Sequence, residues 1–165
     1  MAKKLKEIQK AFENFQDKVD KHTDALWRIN TNFWTHNGML FEGLDALDER
    51  ISALKKQGKQ GVTVADFLDD AEVKAFVDGI DQCKKSCRRE SDSYYAEVDK
   101  LSKVKSDLEK LAKETDDVVK ARKFKISKSK GALKDIAGQI KTVAVDAGSV
   151  ITEGGPHKSD HKLLN

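Results

Sequence analysis

Residues 5–54 read LKEIQKAFENFQDKVDKHTDALWRINTNFWTHNGMLFEGLDALDERISAL. Stepping by seven from Leu5 meets Phe12, Val19, Leu26, Phe33, Leu40, Leu47 and Leu54, apolar at every step. The companion line Ile8, Phe15, His22, Ile29 is apolar apart from one histidine, and it then fades through His36, Gly43 and Arg50. A seam repeating every seven residues specifies a long helix that lies along another helix. About 50 residues at 1.5 Å each make roughly 75 Å of rod. The helix is expected from about Lys3 to Lys56.

Its weak stretch is Asn30 to Gly38, which is rich in poor helix formers. Summed propensities cost about 4 kcal/mol there. Burying Phe33 and Trp34 returns about 2–3 kcal/mol each. The seven-residue spacing also survives from Leu26 through Phe33 to Leu40. A continuous helix is therefore predicted, with Gly38 as the place for a kink. After Leu40 the seam shifts to Leu44, Leu47, Ile51 and Leu54.

Gln57-Gly58-Lys59-Gln60-Gly61-Val62 carries two glycines and no periodicity, so the turn is placed at 57–63. Thr63-Val64-Ala65-Asp66 has the form of a capping box, and a second helix is expected to start there. Its apolar line runs through Ile80, Cys83, Cys87, Tyr94, Leu101, Leu108, Leu111 and Val118. Folding the chain near residue 60 sets residue n beside about 120 minus n. Leu40 then meets Ile80, Val19 meets Leu101 and Phe12 meets Leu108. Apolar positions coincide along both arms, although neither local pattern required it. The expected fold is all-α: an elongated, coiled-coil-like antiparallel helical hairpin over 1–120 with a shorter third helix. Residues 121–131 read as a basic linker and 132–151 as an amphipathic helix, weakened by Gly138 and Gly148. Residues 152–165 read as a flexible tail.

Composition narrows the class. No apolar run is long enough to span a membrane, and the N-terminus lacks the core of a secretory signal. Two cysteines make no disulfide framework. A cytoplasmic protein is expected, with peripheral membrane attachment or export without a signal peptide as the other settings. The net charge of +3 does not call for nucleic acid. Charge is nonetheless uneven. Residues 40–81 hold ten acids against five bases, and residues 120–130 hold six bases and no acid.

No phosphate loop, His-Glu-x-x-His or Gly-x-Ser-x-Gly occurs, so neither an enzyme, a cofactor nor a small-molecule substrate is expected. The candidate surfaces are of other kinds. Trp27, Trp34 and Phe41 repeat every seven residues, one position after the seam. Such a line on an exposed helix face marks a protein partner or a homodimer, and two hairpins joined through it would make a four-helix bundle. The alternative is a lipid- or polyanion-contacting module over 120–151, with Arg122, Lys123, Lys125, Lys128 and Lys130 meeting an anionic membrane surface.

No metal site is expected. The one arrangement that approaches it is Cys83 and Cys87 beside His36, which the hairpin register brings near Cys83. His22 and His36 otherwise read as polar breaks that fix the register of the seam.

Overall fold

The computed structural model describes residues 5–59, 61, 63–121 and 128–153. Within them are three α-helices and no strand: α1 (Leu5–Lys56), α2 (Ala71–Ala121) and α3 (Lys128–Glu153). One turn of 3-10 helix, Val64–Phe67, lies between α1 and α2. The architecture is a long helical hairpin with a shorter C-terminal helix. Helical structure is unbroken through Asn30–Gly38; Phe33 is buried there as expected, whereas Trp34, counted with it, stays exposed. No described helix is long and apolar enough to cross a membrane.

The chain forms two compact units. The first joins α1 up to Trp27 with α2 from Tyr95 onward and α3. Its core gathers Ile8 and Phe12 of α1, Val104, Leu108 and Leu111 of α2, and Leu133, Ile136 and Ile140 of α3. Phe12 and Leu108 thus share one core, as the fold about residue 60 predicted. Thr115 sits fully buried in this unit, and its hydroxyl donates to the Leu111 carbonyl at 2.7 Å. That satisfies a group that would otherwise cost about 1–3 kcal/mol. Lys141 of α3 pairs with Asp116 of α2 at 2.8 Å.

Among the described residues the second unit runs from Arg28 to Tyr94 and contains only the hairpin. Phe33, Leu40 and Cys87 form one buried cluster, with Leu44, Ile80 and Cys83 against it. Leu47, Leu54, Phe67 and Val73 form another toward the turn. The register holds here too. Cys87 Sγ lies 4.0 Å from the Phe33 carbonyl, and Arg50 bonds Asp70, each pair of numbers adding to 120.

The turn is built from two glycine conformations. Gly58 adopts φ +81°, in the left-handed region that other residues avoid. The N–H of Gly58 donates to Lys55 O at 3.1 Å and that of Lys59 to Leu54 O at 3.2 Å, which closes α1 as a Schellman motif. At Gly61 a Cβ would stand 2.6 Å from the Asp66 Cβ and 2.9 Å from the Phe67 ring. Only a bare backbone fits there.

Two boundaries differ from the sequence reading. The Thr63–Asp66 pair does form, with the Asp66 carboxylate accepting the Thr63 N–H at 2.9 Å. It closes the short 3-10 turn, however, and not α2. That turn seats the buried Phe67 against Leu54 and Val73. The cap of α2 is Asp70, whose Oδ1 accepts the N–H groups of Glu72 and Val73, both at 3.1 Å. At the other end α3 begins at Lys128, ahead of the expected Ala132, and ends at Glu153. Lys128 and Lys130 are therefore helical rather than part of a linker. Gly131, the last residue of the expected linker, is tolerated inside the helix for about 1 kcal/mol. The remaining residues of the expected linker and tail, 122–127 and 154–165, lie outside the described residues.

Candidate functional site

Every aromatic residue of the expected stripe is exposed: Trp27 at 66 %, Trp34 at 44 % and Phe41 at 48 %. Trp27 belongs to the first unit, and Trp34 and Phe41 to the second. The cause is local. Each of the latter two follows a buried seam residue, Phe33 and Leu40, so each projects about 100° around the helix from the core line. Trp34 also stands edge-on to Phe33, with ring centroids 5.2 Å apart at 89°. This contact holds the indole against α1 and leaves one side of it in solvent.

On the other side of the seam, Met39 and Ala46, which precede the buried Leu40 and Leu47, line a groove of about 330 Å³ in the second unit. Met39, Gly43 and Ala46 of α1 face Ala75, Gly79 and Cys83 of α2 across it. Met39 is 50 % exposed. The sequence reading missed this groove. Its signal was the set of small residues Gly43 and Ala46 on α1 and Ala75 and Gly79 on α2, of which only Gly43 was read, as a fading of the seam.

The seam histidines sit opposite carboxylates. In the first unit His22 Nδ1 pairs with Glu97 Oε1. Burial pushes the Glu97 carboxyl up. The His22 hydrogen bond and charge, aided by Lys100, outweigh it and leave the group below its usual range. In the second unit His36 Nδ1 lies 2.7 Å from Glu90 Oε1, close by distance but off the hydrogen-bond line. Each histidine thus ties α1 to α2 where an apolar residue would otherwise stand.

The metal arrangement does not assemble. His36 meets Glu90 rather than the cysteines. Cys87 is fully buried, and that burial, followed by the Glu90 and Cys83 charges, pushes its thiol up to about 11. A thiol held protonated is a poor ligand. No group of three His, Cys, Asp or Glu side chains able to hold a metal occurs among the described residues.

Of the basic candidates, Arg122, Lys123 and Lys125 fall outside the described residues. Lys128 and Lys130 lie at the start of α3, whose apolar side chains Leu133, Ile136, Ile140, Ala144 and Ala147 are buried in the first unit. That apolar face is already used by the protein's own core.

No protein family, no curated protein and no solved structure matches this chain.

Proposed function

We propose that this is a non-enzymatic interaction protein that assembles by helical packing, with itself before any other partner, through the aromatic face of α1. The observation that carries this reading is the exposure of Trp34 and Phe41 two turns apart on one helix face. Leaving two such side chains in water forgoes about 1–3 kcal/mol each. Large exposed aromatic residues are enriched at the buried centres of interfaces. Among the described residues the second unit has only two α-helices and one 3-10 turn to cover its apolar side chains, and Leu44, Ile51 and Val77 stay half-buried in it.

The lipid- or polyanion-contacting reading of 120–151 has less support. It needs an amphipathic helix with a free apolar face, and that of α3 is packed on the hairpin.

Tryptophan quenching tests the proposal. In a Trp27→Phe variant the emission reports Trp34 alone. Raising the protein concentration should shift that emission to the blue and shield it from acrylamide. Equal quenching from the lowest to the highest concentration would count against the reading.

A further inference from the structure

The second unit carries enough geometry to fix how two copies would meet. On α1 the residues just before buried ones (Met39 before Leu40, Ala46 before Leu47) share the groove with their counterpart on α2, Gly79 before Ile80. The residues just after buried ones must then share the opposite face. On α1 these include Trp34, Phe41 and, after Leu47, Asp48. On α2 they include Lys74, after the buried Val73, Asp81, after the half-buried Ile80, and Arg88, after the buried Cys87. Lys84, three residues ahead of Cys87, lies about 60° to the same side. One face of the hairpin therefore presents an aromatic pair on one helix and an acid–base pair on the other.

These two pairs have a common centre. Trp34 and Phe41 are symmetric about the level between residues 37 and 38, and Asp81 and Lys84 about the level between 82 and 83. In a hairpin whose facing residues add to 120, these are the same level, as Phe33 with Cys87 and Arg50 with Asp70 establish. A two-fold axis lying in the face at that level, perpendicular to the helices, sets Trp34 against Phe41 of a second copy. By the same rotation it sets Asp81 against Lys84. Both contacts are reciprocal, as an isologous interface requires. Gly38, with no atom within 4 Å of the Cβ it lacks, sits where the two α1 helices cross and lets them approach. The same register leaves Arg88 opposite Val77, Lys74 opposite Ser91 and Asp45 opposite Asn30.

Resting on the reading of the aromatic face as the interface, we propose that the occupant is a second copy of this chain. It lies antiparallel, with Trp34 on Phe41 and Asp81 on Lys84 across one two-fold axis at Gly38. The paired hairpins form a four-helix bundle with α1 on α1 and α2 on α2. Residues 28–47, the part of α1 in this unit that is symmetric about that level, span about 29 Å, and two helices side by side are about 20 Å wide. The face is then roughly 580 Å² flat. Its corrugation brings it close to the ~800 Å² per partner of a standard interface. Asp81 also pairs with Lys85 of its own helix at 3.0 Å.

A charge exchange in the full chain tests the arrangement. Asp81→Lys alone and Lys84→Glu alone each place like charges across both halves of the interface. Each should weaken self-association by roughly tenfold or more while circular dichroism stays unchanged. An equimolar mixture of the two single variants restores both pairs and should form heterodimers, as should the double variant with itself. If Trp34→Ala abolishes association but the single charge variants associate like wild type, the aromatic face stands and this two-fold arrangement is overturned. A wild-type chain that stays monomeric overturns both.

Discussion

Arg50 of α1 grips Asp70 with two parallel bonds, Nη2 to Oδ2 at 2.8 Å and Nε to Oδ1 at 3.2 Å. The same carboxylate caps α2 through the N–H groups of Glu72 and Val73. One side chain thereby ends the turn, starts the second helix and ties it to the first. Arg50 also reaches Glu72 at 3.3 Å.

This arrangement gives the hairpin a defined acid sensitivity. The Arg50 guanidinium, with the Val73 and Glu72 N–H groups, holds the Asp70 carboxyl at about 2. The usual carboxylate value is about 3.9. A depressed folded value means stability that is present above the unfolded value and lost as pH falls through the folded one. The Asp70 contribution should therefore be complete above about pH 4 and gone near pH 2. Asp70→Asn keeps a capping oxygen but loses the charge. Urea titrations should find the variant less stable at pH 7, with the gap from wild type closing between pH 4 and 2.

Glycines at the turn should be intolerant in a graded way. Gly58→Ala forces an L side chain to φ +81° and should cost about 1–2 kcal/mol. Gly61→Ala should cost more, because its Cβ collides with Asp66 and Phe67. Gly138→Ala is the control. It lies in α3 with nothing near its missing Cβ and should stabilise by about 1 kcal/mol. Thermal melts of the three variants check the order.

The two thiols should separate cleanly. Cys87 is fully buried and its thiol is raised to about 11, whereas Cys83 is half-buried along the groove. At pH 8 a disulfide reagent should modify one thiol per chain quickly. The second should react only at the rate of unfolding. Mass spectrometry should place the fast label on Cys83.

Adjacent residues of α1 should behave oppositely. Phe33 has no exposed surface and joins the Leu40–Cys87 cluster. Phe33→Ala should cost about 3–5 kcal/mol in urea unfolding of the dilute chain. Trp34→Ala loses one edge-to-face contact and should cost no more than about 1.5 kcal/mol there.

Much of this was legible in the residues. The seven-residue line from Leu5 to Leu54 marked α1, and the matching arms marked the hairpin register, because burial repeats with the helix period. The exposure of Trp34 and Phe41 followed from their place one step past that line. The start of α2 was not legible. Thr63 and Asp70 both look like helix caps, and the choice depends on where Phe67 must sit, which is a matter of packing. His36 was expected beside Cys83. Its ring lies beside Glu90 instead, six residues along the facing helix from its register position, which the seven-residue pattern alone does not specify. The groove at Gly43 and Gly79 was hidden for a related reason: small residues mark a helix interface only once two helices are known to face each other there.

The most direct test of the central claim is solution molar mass by sedimentation equilibrium for wild type beside Trp34→Ala. Wild type should move from monomer to dimer as concentration rises, and Trp34→Ala should stay monomeric over the same range. Two chains that both remain monomeric, or a variant that dimerises as tightly as wild type, would contradict assembly through the aromatic face.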